Sequence, residues 1–148
     1  GLNFIVSNPN LYSEVYSILG NCYNEMKNYD ESDKAFDKSL ENLPDNVHVL
    51  NNYAYYLSLR GVNLGKARQM SLASIEISPN EANYYDTYAW ILFKMKNYKE
   101  AKIWMSKALD IEKSKTFFEH MADILDALGE YKNADMYRIM EIDTLENE

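Results

Sequence analysis

Between Tyr84 and Leu109 the apolar positions keep a helical spacing, lose it once, and take it up again. Tyr85, Tyr88, Ala89 and Leu92 fall at i, i+3, i+4 and i+7, one face of a helix with 3.6 residues per turn. Met95-Lys96-Asn97-Tyr98 interrupts that face with turn-tolerant residues, and Tyr98, Ala101, Met105, Ala108 and Leu109 resume it. The pattern predicts two short helices joined by a tight turn. Ala89, Ala101 and Ala108 leave room for a second helix to approach closely.

The same unit recurs along the chain. Small residues of the first helix stand at Gly20, Ala54, Ala89 and Ala122, separated by 34, 35 and 33 positions. Three residues further on lie Tyr23, Leu57, Leu92 and Leu125, and the turn positions Lys27, Gly61, Lys96 and Gly129 keep the same spacings. Ser32, Ala67, Ala101 and Ala134 are the small residues of the second helix. Pro9, Pro44 and Pro79 are each read as closing a second helix, because proline cannot continue one. A period near 34 marks a stacked array of helix pairs. Its units run over about 13–43, 47–78, 82–112 and 115–141, within one solenoid at 11–148. Residues 1–8 are read as the end of a preceding helix, and Gly1 with this mid-pattern start as those of an excised fragment.

Leu19-Gly20-x-x-Tyr23, Gly129-x-Tyr131-x-x-Ala134 and Ala108-Leu109, with aromatics after the turns at Tyr29, Tyr98 and Tyr131, carry a family resemblance. On these residues nearly the whole chain resembles the tetratricopeptide-repeat family. The resemblance implies an all-α fold, a right-handed superhelical solenoid of antiparallel helix pairs. Three departures stand out. The second unit has an extra residue in its turn, the third ends in Lys113 rather than proline, and the fourth carries Glu141 where a small residue is usual. The runs NNYAYYLSLRG and DTYAWILF resemble repeats of bacterial proteins that are exported or lipid-anchored, which implies a periplasmic or membrane-anchored location.

The resemblance places the first helix of each pair on the concave surface, and helical geometry then names the lining, since residues three, four and seven apart share a face. The first repeat contributes Ser17, Asn21 and Asn24. The second offers His48, Asn51, Asn52 and Tyr55, and the third Asn83, Asp86, Thr87, Trp90 and Phe93. The fourth offers Glu119, His120, Asp123 and Asp126. Asparagine side chains pair with the backbone of an extended peptide, each offering a donor and an acceptor. Tyr55, Trp90 and Phe93 would add large rigid contacts, and the carboxylates would favour lysine or arginine on a partner. Each position also has a plainer reading: the asparagines as a solvated face, Trp90 as packing between repeats. Repeats of this family that clamp a chaperone's C-terminal carboxylate use asparagines with lysines and an arginine. Asn21 and Asn52 match the asparagines, but Ser17, Asn83 and Thr87 stand where the cations belong, so a carboxylate would lose its charge-assisted bonds.

Composition narrows the function. Thirteen tyrosines against five glycines and three prolines suit a helical stack with breakers only at turns. A formal charge of −8 opposes nucleic acid, whose phosphates need a positive surface. No run of 18 apolar residues appears, so no span is predicted. A single cysteine, Cys22, leaves no internal disulfide and is read as a small core residue. His48 and His120 lie in different repeats without a nucleophile pattern. Glu119, Asp123 and Asp126 share a helical face, which is more often solvated than metal-binding. No phosphate loop, metal site or cofactor is predicted.

These readings predict a non-catalytic protein–protein interaction module that binds a peptide or helix, basic or amphipathic, in its concave groove. Two alternatives remain: assembly by end-to-end or dimeric stacking through apolar terminal faces, and a regulatory appendage of an enzyme.

Overall fold

The computed structural model describes residues 8–147, and within them every regular element is an α-helix. The first pair is α1 (Pro9–Glu25) and α2 (Tyr29–Asn42), the second α3 (Val47–Arg60) and α4 (Leu64–Ile77). The third is α5 (Ala82–Lys94) and α6 (Tyr98–Ile111), the fourth α7 (Lys115–Ala127) and α8 (Tyr131–Glu146). The reading of residues 1–8 as the end of a preceding helix lies outside the described residues except at Asn8, which is the N-cap of α1.

The four turn positions in the sequence are the four places where the backbone reverses. Lys27, Gly61, Lys96 and Gly129 all have left-handed φ, at 61°, 67°, 64° and 79°. A left-handed residue just past a helix lets the next amides bond back to the last carbonyls. Asn97 N–H reaches Leu92 O at 2.9 Å and Glu130 N–H reaches Leu125 O at 2.9 Å. The second turn holds a further left-handed residue, Asn63, which absorbs the extra position. Pro9 corrects the sequence reading: it stands in the first turn of α1, capped by Asn8, where its missing N–H costs nothing.

Small residues allow the close approach within each pair. Ala54, Ala89, Ala122, Ala67, Ala101 and Ala134 are fully buried. At Gly20 even one methyl group is excluded, because a Cβ would lie 2.6 Å from the Phe36 ring. Phe36 then stacks on Tyr53 of the next repeat, with ring centroids 5.1 Å apart. Ion pairs bridge the junctions: Arg60 with Asp33 at 2.6 Å, half-buried, Lys66 with Asp37 at 2.6 Å, and Lys102 with Glu130 at 2.9 Å.

Each second helix packs on the first helix of the next pair, and the first helices α3, α5 and α7 also touch in succession. The core therefore runs through the stack, around Phe36, Tyr53 and Ile91 in one cluster and Tyr88, Met105 and Met121 in the other. The outer side of α1 is different. Leu19 is 38% exposed where its repeat equivalents Tyr53, Tyr88 and Met121 are 2% exposed. Cys22, on the same helix, is likewise exposed rather than core, because among the described residues no helix precedes α1.

Candidate concave binding site

The face shared by α3, α5 and α7 is where the first-helix residues converge. A cleft of about 370 Å³ opens there. Asn51, Asn52 and Tyr55 line it from α3, Asn83, Asp86 and Thr87 from α5. Its far wall is Glu112, Ser114, Thr116 and Phe117, from the α6–α7 connection and the start of α7. That wall has a local cause: Ser114 caps α7, its Oγ accepting the Phe117 N–H at 3.3 Å, which turns the connection towards the groove.

Polar groups of the cleft are partly committed. Asn51 Nδ2 donates to Asn52 Oδ1 at 3.4 Å, while Asn51 Oδ1 is buried without a hydrogen-bond partner among the described residues. Asp86 Oδ1 lies 2.7 Å from His120 Nδ1, and the two side chains are 9% and 12% exposed. Burial pushes the Tyr55 phenol above its ordinary value, and the negative charge of Asp86 adds to the shift.

Beside the cleft an aromatic stack rises. Trp90 stacks with His120, centroids 4.1 Å apart at 18°, and with Phe93, centroids 4.6 Å apart at 18°. Trp90 is half-buried, and its Nε1 has no acceptor among the described residues. Asp86 thus orients His120 and His120 supports Trp90, so one carboxylate positions the whole stack.

The remaining residues of the expected lining are distributed as follows. Glu119 is exposed on α7. Asp123 and Asp126 face Arg138 of α8, which bonds to Asp126 and lies 3.7 Å from Asp123. Burial raises the Asp123 carboxyl above its ordinary value, and Arg138 opposes the shift. The cation that these carboxylates would attract is therefore supplied from within the chain. Asn21 and Asn24 are half-buried on α1, outside the cleft, and Asn21 Oδ1 accepts a bond from the Tyr56 hydroxyl at 3.4 Å. The structure thus brings Asn51, Asn52, Tyr55 and Asp86 into one cleft with Trp90 and Phe93 beside it. Glu112, Ser114 and Thr116 were absent from the sequence reading; the only signal for them was a serine at a helix N-cap.

With that geometry in hand, the chain can be placed among known proteins. The tetratricopeptide-repeat family matches residues 13–46 and 82–115, the first and third helix pairs. No curated protein matches. A MamA chain from Desulfovibrio magneticus RS-1 is similar over 92% of this chain and 77% of that one, at 15% identity and a TM-score of 0.83. PilF of Pseudomonas aeruginosa is similar over 95% of this chain at 21% identity and a TM-score of 0.80, and the chain spans 64% of that protein's length. The first repeat domain of Spaghetti (RPAP3), bound to the HSP90 peptide SRMEEVD, is similar over 81% of this chain and 95% of that one, at 20% identity and a TM-score of 0.74. Two of the four helix pairs thus match the tetratricopeptide-repeat family, and the chain has the superhelical solenoid fold of the solved repeat structures it resembles. No described helix is long and apolar enough to cross a membrane.

Proposed function

We propose that this chain is a protein–protein interaction module that holds a segment of a partner protein in its concave groove. The observation that carries the reading is the convergence of three first helices on one cleft, with asparagines and carboxylates in the walls and a supported aromatic stack beside it. Asn52 and Asn83 offer amide donors and acceptors that suit an extended backbone, and Phe93 and Trp90 offer rigid apolar surface. The RPAP3 domain, bound to a peptide, is a precedent for the fold and no more. Preference for a basic partner segment follows from Asp86, Glu112 and Glu119, none of which faces a lysine or arginine in the described structure.

The test is capture from the native lysate by the wild-type chain and by the triple variant Asn52→Ala, Asn83→Ala, Glu119→Ala. None of these side chains belongs to the buried core, so equal helicity is expected of both. A partner held by wild type and lost by the variant supports the groove, and equal capture moves the interaction elsewhere.

A second reading, self-association, draws on apolar residues exposed at both ends: Val15 and Leu19 on α1, and Met136, Ile139 and Met140 on α8. Leu2, Phe4 and Ile5, also expected there, lie outside the described residues. One feature opposes plain head-to-tail stacking. Arg138 stands where Phe36, Ser71 and Met105 are fully buried in the other repeats, and a charge at that contact would have to be desolvated. A concentration-dependent mass in a sizing run would favour this reading.

A further inference from the structure

We propose that the cleft between α3, α5 and α7 is a pocket for a primary ammonium group, the side chain of a lysine on the bound segment. This deepens the groove reading and rests on it. The walls are rich in acceptors with capacity to spare. Asn51 Oδ1 is buried and has no donor among the described residues. Asp86 gives one oxygen to His120 and retains the other. Glu112 adds a second carboxylate from the end of α6, and no residue lining the cleft is basic. An ammonium brings three donors and no acceptor, which matches that deficit.

The opposing field is weaker. α5 and α7 begin beside the cleft, and each helix N-terminus carries about half a positive charge, less than either carboxylate. One of the amides at α7 is already taken by Ser114. Apolar surface for the lysine stem is present as well, from the half-buried Tyr55 ring, with Phe117 beneath the lining of the far wall.

Geometry also chooses between the two basic side chains. A guanidinium is best held by a carboxylate that offers both oxygens to its planar fork. At Asp86 one oxygen is already shared with His120 at 2.7 Å, so a guanidinium fork there would have to compete with the imidazole. The acceptors that line the cleft come from three separate elements, α3, α5 and the end of α6. That arrangement suits a compact ammonium with three rotatable donors.

The test uses the peptide acetyl-Ala-Ala-Lys-Ala-Ala-amide, with three comparison peptides carrying norleucine, Nε-acetyllysine or arginine in place of lysine. Binding is read from the side-chain amide signals of Asn51, Asn52 and Asn83 in ¹H–¹⁵N spectra. Saturable shifts are expected with a constant on the order of millimolar, typical of a ligand making few contacts. Norleucine and acetyllysine should bind at least roughly tenfold more weakly, because each lacks the charge, and arginine should fall between them and lysine. Glu112→Gln should weaken the lysine peptide by roughly tenfold and leave the norleucine peptide unchanged. Norleucine binding as well as lysine, or a lysine peptide that shifts no cleft signal, overturns the pocket. If that occurs while the triple variant still loses its captured partner, the groove stands and only the ammonium assignment falls. If the lysine peptide binds while the triple variant keeps its partner, the cleft binds an ammonium, but the groove reading falls and with it the assignment of that ammonium to a bound partner segment.

Discussion

Asp123 is a carboxylate on which two effects oppose each other. Partial burial raises its proton affinity, and Arg138 at 3.7 Å lowers it, with burial the larger. A carboxyl raised in the folded state favours folding when it is protonated. Its contribution is present below the ordinary value of 3.8 and is lost as pH rises through the folded value. Asp123→Asn is therefore expected to raise the thermal midpoint at pH 7 and to leave it unchanged at a pH of about 3, below that ordinary value. A lower midpoint at pH 7 would mean that the pairing with Arg138 dominates. In the sequence Asp123 is one more acidic residue on a helix face, since Arg138 lies fifteen positions later on another helix. Gly20 is a mixed case. Its register marks it as a small position, but only the ring of Phe36 shows why alanine, which serves at Ala54, Ala89 and Ala122, is excluded there.

At the scale of elements, the four turns share a backbone but not a residue type. Gly61 and Gly129 take the left-handed conformation without steric cost, whereas Lys27 and Lys96 hold a Cβ in it. That costs roughly 1–2 kcal/mol, partly offset because lysine has less freedom than glycine to lose on folding. Lys96→Gly is expected to stabilise the chain by about 0.5–1 kcal/mol, measured as a higher urea midpoint with an unchanged slope. A fall in the midpoint would show that the Lys96 side chain contributes more than its backbone costs. These turns were legible because their residues recur at the repeat spacing. Pro9 was misread for a related reason: proline is compatible with the start of one helix and the end of another, and only the Asn8 cap, accepting Leu11 N–H at 3.1 Å, settles which.

Across the whole molecule, burial is concentrated in the middle. α1 buries only Ser13 and Gly20 and α8 only Ala134, while α5 buries eight residues from Ala82 to Leu92. In a stack where each pair is stabilised by its neighbours, the ends open most easily. Amide hydrogen exchange is expected to be fastest in α1 and α8 and slowest in α5 and α7. Uniform protection would indicate that the terminal faces are covered, as self-association would require. The repeat period, the turns, the small-residue seams and the all-helical class were all present in the sequence, because each depends on local geometry that recurs every 34 or so residues. Which polar groups remain unsatisfied depended on tertiary structure alone. Asp86 meets His120, Arg138 meets Asp126, and Glu112 meets the cleft across helix boundaries, where distance along the chain says nothing about distance in space.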